Sequence, residues 1–354
     1  MEIRQIPAPN NSKTGKVLFF AAISVLTGVF ALANPVGAAT SPWSTQKANL
    51  QRNSQSEFEG PSAQPSVLWT YAEEPGNPIY SSLVIGQDRT IYVSVSGGIL
   101  SINPDGTRKS FEPDIPGPLI VQSDGAVSTD PNPNRAYSKD ELTYYYTQGN
   151  TLYSADSATD TILWQRVFEP DPQSYPCPPN INVSLSSPIV SNQGTIYVPA
   201  GGVYCDDKGN SPLYVFLISP DNQLLTSFNL GTYSTIPAVS PDGTTYFIHR
   251  WSGPYDWGER GNLTAINPDG STKWSINLFG QSSPVIISNL ITDSQNNLYF
   301  TIDTTAYCYS NNGQKLWEQQ LSAPLDWQFC DVGLALLGDG TLCVFGRGSI
   351  IALK

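Results

Sequence analysis

A single imidazole, His249, limits the acid–base and metal chemistry open to this 354-residue chain. A serine–histidine–aspartate relay or a histidine-rich zinc site would have to run through it, because there is no second histidine. It opens the triplet His249-Arg250-Trp251 within residues 248–262, Ile-His-Arg-Trp-Ser-Gly-Pro-Tyr-Asp-Trp-Gly-Glu-Arg-Gly-Asn. Tryptophan, tyrosine and arginine are the side chains that most often anchor interfaces, and loops on rigid scaffolds carry function. His249, Arg250, Trp251, Tyr255, Trp257, Glu259 and Arg260 are therefore read as one binding surface, beside Tyr204 from a second long stretch, 200–212. The same residues also suit a packing role, with Trp251 and Trp257 capping a gap between sheets and His249 a simple surface or packing residue. No residue is assigned to catalysis or to a metal.

The five cysteines, Cys177, Cys205, Cys308, Cys330 and Cys343, are well separated. Cys177 and Cys205 fall in stretches expected on the same rim as 248–262, and an exported protein can keep a bridge between them. The odd total leaves a free thiol, and Cys343, inside an apolar run, reads as a small buried hydrophobe. Acids are plentiful, but most sit in Asp-Gly turns, where an aspartate's ordinary work is to bond the backbone two residues on.

These side chains need elements to position them, and the chain supplies them by repetition. Ser81-Ser82-Leu83-Val84-Ile85 leads through a turn to Thr90-Ile91-Tyr92-Val93. The pattern returns in Ser186-Ser187-Pro188-Ile189-Val190 with Thr195-Ile196-Tyr197-Val198, and again near 236, 284 and 334. A third strand ends in Asn103-Pro104-Asp105-Gly106 or Asn267-Pro268-Asp269-Gly270. The fourth closes near Trp164, Trp274 or Trp317, with Phe111 and Phe228 taking that place in two repeats. The second repeat is degenerate, its first strand expected in 118–128 and 129–141 read as an inserted loop. Four strands every 40–50 residues are the mark of a propeller blade. No helical period appears between them. The last repeat lacks a fourth strand, and Val67-Leu68-Trp69-Thr70-Tyr71 supplies one before the first. Pairing the two would remove both sheet edges. The expectation is an all-β, six-bladed propeller of four-stranded antiparallel blades over 66–354, closed by an N-terminal strand in the last blade.

This pattern resembles the pyrroloquinoline-quinone-like propeller repeat. The family includes quinoprotein alcohol dehydrogenases and a non-enzymatic outer-membrane assembly lipoprotein. The dehydrogenases carry adjacent cysteines that stack on the quinone, a calcium ion and an eight-bladed ring. This chain has no adjacent cysteine pair and fewer repeats, so the resemblance implies the scaffold more than the dehydrogenase, although the lipoprotein's anchoring cysteine is absent.

Residues 1–39 read as a signal peptide. Arg4, Lys13 and Lys16 precede an apolar run over 17–33, followed by Val36-Gly37-Ala38-Ala39. The alternative is an uncleaved membrane anchor at 17–33. Residues 40–65, rich in Ser, Gln and Asn, read as a flexible spacer. A net charge of −12 repels phosphate backbones and argues against nucleic acid. The sequence thus points to an extracytoplasmic, monomeric, non-catalytic binding or scaffolding propeller without a cofactor, presenting its loop face to a protein or glycan. The alternatives are a metal-dependent, lactonase-like hydrolase and a quinone-dependent oxidoreductase using the central channel.

Overall fold

The computed structural model describes residues 41–45, 47–72, 79–114, 117–170, 182–203, 213–231, 233–251, 259–282, 286–321, 333–346 and 348–354. These residues are all β, and the fold is a propeller. Alternating Ile, Val, Leu, Tyr and Phe form short strands, and Asp-Gly or Asn turns with positive φ join them. Gly106 (φ 87°), Gly243 (83°), Gly270 (85°) and Gly340 (83°) each hold the last position of such a turn.

Among the described residues, six sheets have four or five strands, and one has two. Sheet I comprises Ile79–Ile85, Ile91–Val95, Gly98–Ile102 and Arg108–Pro113. A two-stranded hairpin, Leu119–Val121 with Val127–Thr129, comes next. Sheet II runs from Ala136–Tyr137 through Thr143–Gln148 and Thr151–Asp156 to Ile162–Val167. Sheets III, IV and V span 184–231, 233–282 and 291–320. Sheet VI takes Gly333–Leu336, Leu342–Gly346 and Ser349–Leu353, and its outer strand is Val67–Ala72. The expected closure is present: Trp69 pairs with Ala352 and Tyr71 with Ile350.

The second repeat departs from expectation. Its first strand is Ala136–Tyr137, inside the stretch read as an insertion, while 119–129 folds as the separate hairpin. The hairpin packs Leu119, Val121 and Val127 on Val84 and Ile99 of sheet I. Apolar clusters also join V to VI and I, II to III, III to IV and IV to V. Among the described residues none spans the hairpin and sheet II. With no third or fourth strand on the hairpin, the outer strand of sheet I is exposed at all six residues. Facing the gap, sheet II carries a tyrosine row: Tyr137–Tyr144 at 5.7 Å between ring centroids, Tyr144–Tyr146 at 5.8 Å and Tyr146–Tyr153 at 4.9 Å. The Arg135 guanidinium lies 4.0 Å over Tyr144.

The closing tryptophans act as latches. Each indole N–H donates to a carbonyl beyond its own sheet: Trp69 to Pro104 (3.0 Å), Trp164 to Pro220 (2.8 Å), Trp274 to Asn311 (2.7 Å) and Trp317 to Pro61 (2.6 Å). Register shows that the equivalents in sheets I and III are Ser110, opposite Ser101, and Thr226, opposite Leu217. Phe111 and Phe228 are therefore not the latch positions: they lie one residue past Ser110 and two past Thr226. Ser110 has no turn between a third and a fourth strand to meet, since the hairpin has only two strands.

Residues 41–61 are not a spacer. They bury Trp43 (1% exposed), Thr45, Ala48, Arg52 and Asn53 inside the ring, and they take part in the latch at Trp317. The N-terminal residues read as a signal lie outside the described residues. Among the described residues no helix is long and apolar enough to cross a membrane.

Candidate functional site

The expected binding loop is shorter than its sequence suggests. The strands Thr245–Trp251 and Glu259–Ile266 continue their ladder to its end, pairing His249 with Asn262, Arg250 with Gly261 and Trp251 with Arg260. Gly261 is needed there, because a Cβ would lie 2.1 Å from the Phe279 ring. Arg250, Trp251, Glu259 and Arg260 thus stand together as backbone positions at one hairpin tip. Tyr255 and Trp257 lie outside the described residues, as do Tyr204, Cys177 and Cys205. His249 is half-buried, edge-on to Phe247 at 5.7 Å, and burial lowers its pKa, which keeps the imidazole neutral at pH 7. Cys308 and Cys343 are free, buried thiols, pushed up by desolvation above the usual range.

The acids in the turns do what Asx side chains do. Asp88, Asp105, Asp242, Asp269 and Asp339 each accept the N–H two residues on. The Thr107 hydroxyl and N–H hold Asp105 below the usual carboxylate range, and Ser271 does the same for Asp269. Among the described residues no three of His, Cys, Asp and Glu come together as a metal centre would require.

The axis holds the feature that the sequence concealed. Residues 41–60 pass the inner strand of one unit after another, in chain order. Ile85 N–H donates to Trp43 (2.9 Å), Val121 to Ser44 (2.9 Å), Tyr137 to Leu50 (2.9 Å) and Val190 to Gln51 (2.9 Å). Val239 then donates to Asn53 (3.0 Å), Thr292 to Ser54 (2.9 Å) and Ser294 to Phe58 (3.1 Å). These donors lie on the inner edges that a ring of sheets leaves unpaired, and one segment satisfies them in turn. Near sheet VI, the Glu59 carbonyl lies where a Cβ on Gly340 would fall, 2.6 Å away.

Polar side chains make this path possible. Thr45 Oγ1 donates to the Asn49 carbonyl (2.8 Å), and Asn53 Oδ1 accepts from Gln55 N–H (3.1 Å) while its Nδ2 donates to the Val190 carbonyl (3.1 Å). Ala48, Arg52 and Ser54 take positive φ, which lets the segment curve. Arg52 is buried and pairs with buried Asp130 at 2.6 Å, with further bonds to the Arg135 (2.5 Å) and Asn132 (3.2 Å) carbonyls. The 130–135 stretch is thus the receptor for a charge on the axial segment. At the other end buried Asp293 accepts from Gly60 N–H (3.1 Å) and the Tyr299 hydroxyl (2.8 Å).

Beside the segment lies a cavity of about 530 Å³, within the range of ligand pockets. Its floor is the axial segment, and its walls are the first turns of sheet I, the hairpin, sheet II and sheet III. A chain of carboxamides crosses it: Gln51 Nε2 donates to Asn192 Oδ1 (3.3 Å), and Asn192 Nδ2 to Gln55 Oε1 (3.2 Å). Asn49 Nδ2 donates to Asn53 Oδ1 (2.8 Å), and its own buried Oδ1 receives no donor. Sequence reasoning missed this site. The one signal was Trp43, an isolated bulky apolar residue at the head of a polar stretch.

No family model and no curated protein matches the chain. Among solved structures, a gluconolactonase from Xanthomonas campestris is 14% identical, with 82% of this chain and 99% of that one covered at a TM-score of 0.40. The Pan2 WD40 domain of Neurospora crassa is 10% identical, covering 83% and 97% at 0.49. BamB from Moraxella catarrhalis is 9% identical, covering 82% and 99% at 0.35. The last two are β-propellers. At such identities the likeness concerns fold alone.

Proposed function

We propose that the chain is an exported, non-catalytic β-propeller of the pyrroloquinoline-quinone-like lineage that binds a protein or glycan partner. The observation that carries this reading is the axial segment. On the axis, the chain's own residues 41–60 bond the inner strands of sheets I to V and of the hairpin. What they leave beside them is a cavity in which Ser, Asn and Gln, groups suited to recognition, outnumber the charged Glu57, Lys139 and Glu141. Arg250, Trp251, Glu259 and Arg260, on strands paired in one hairpin, include the residue types that interfaces favour and are our second candidate surface, for a protein. Basic residues, an apolar run and small residues in 1–39 support export, with the protein monomeric after cleavage.

Native mass spectrometry and elemental analysis of the mature protein from its own host test the reading. A bare monomer or one carrying a protein or glycan agrees with it, and a stoichiometric metal or quinone contradicts it. Substituting Trp251 and Trp257 by alanine is expected to abolish protein-partner binding and leave the unfolding midpoint unchanged.

A further inference from the structure

We infer that the axial cavity is a binding site for a neutral saccharide, an inference that rests on the non-catalytic binding reading and names its ligand class. The argument starts from the chemistry of the wall. Ten of the nineteen lining residues are Ser, Asn or Gln, against three that are charged. A carboxamide offers two donors and two acceptor lone pairs, so the chain Gln51–Asn192–Gln55 spends only part of its capacity on itself. Those internal bonds fix the orientation of what remains, an array that presents donors and acceptors side by side. Sugar hydroxyls are donors and acceptors at once, and neighbouring hydroxyls match a carboxamide's spacing.

Other ligand classes fit less well. An apolar ligand would strip water from the amides without replacing its hydrogen bonds. An anion would meet Glu57 and Glu141 against one Lys139 in a chain of net charge −12. Half-buried Phe58 adds an apolar surface for the C–H face of a sugar ring.

The experiment uses the mature chain, titrated by calorimetry with maltose, cellobiose, lactose and chitobiose, and with sialyllactose as the charged comparison. At least one neutral sugar is expected to bind. The exposed wall residues Gln87 and Gln122 changed to alanine should weaken it by about tenfold, the scale of one or two lost hydrogen bonds. Asn192→Ala should weaken it further. Absence of binding by every neutral sugar at about 10 mM overturns the inference, as does binding that survives the Gln87, Gln122 and Asn192 changes. Preference for sialyllactose overturns it too. If the bound sugar is hydrolysed, the site stands and the non-catalytic reading falls.

Discussion

Arg52 and Asp130 form the one ion pair among the described residues in which both side chains are essentially buried, at 3% and 5% exposure. Its value lies in what happens when half of it is removed. A lone buried carboxylate is far less stable than the pair, so Arg52→Ala is expected to cost about 3–5 kcal/mol in a urea unfolding titration. Arg52→Met with Asp130→Leu should recover most of that loss. Lys47, on the same segment, carries the opposite lesson. Burial, then the nearby Arg52 charge, lowers its pKa from 10.5 to about 8. Between about pH 8 and 10.5 the unfolded chain therefore holds a proton that the folded chain has released, and stability must rise with pH across that window. Relative to Lys47→Met, the wild type should gain up to about 3 kcal/mol between pH 7.5 and 10.5 in paired urea titrations. A difference that stays flat would mean that Lys47 is solvated.

At the scale of elements, one contact recurs around the ring: Trp69, Trp164 and Trp274 each donate to a turn of the next sheet, and Trp317 donates to Pro61. Trp317 is the most buried of the four and latches the axial segment through Pro61. Trp317→Phe should lose about 1 kcal/mol for the hydrogen bond, and Trp317→Ala about 3–5 kcal/mol once the cavity is counted, both read by thermal or urea unfolding. Strands, turns and the closing strand Val67–Ala72 were legible, because alternating apolar residues and Asp-Gly turns are local signals. The latch in sheets I and III was misread by following aromatics. Counting four residues on from the turn leads from Gly106 to Ser110 and from Asn222 to Thr226. The hairpin at 119–129 was hidden for a different reason, since a unit of two strands keeps the turn but loses the repeat's second half. The loop 248–262 was recognised as unusual, although its ends are ladder rather than loop. The axial site was illegible because a segment that bonds to inner strand edges uses Ser, Asn, Gln and Thr, the composition of a solvated linker. Only partners far along the chain, such as Val121 for Ser44 and Val190 for Asn53, tell the two apart.

On the scale of the whole molecule, the ring and the segment explain each other. Sheets set around an axis leave inner edges with unpaired N–H groups, and a ring with one two-stranded unit lacks an apolar seam beside it. The 41–61 stretch answers both, bonding the inner edges in order and placing Arg52 at the weak seam. It also leaves an amide-rich cavity beside the axis. Hydrogen–deuterium exchange on the full chain tests this most directly, because amide protection reports whether a backbone is held. The account expects peptides covering 41–60 to exchange as slowly as those covering the inner strands that end at Ile85, Val190 and Val239. Exchange at the rate of an unstructured peptide over 41–60, with the inner strands still protected, would show an open axis and contradict it.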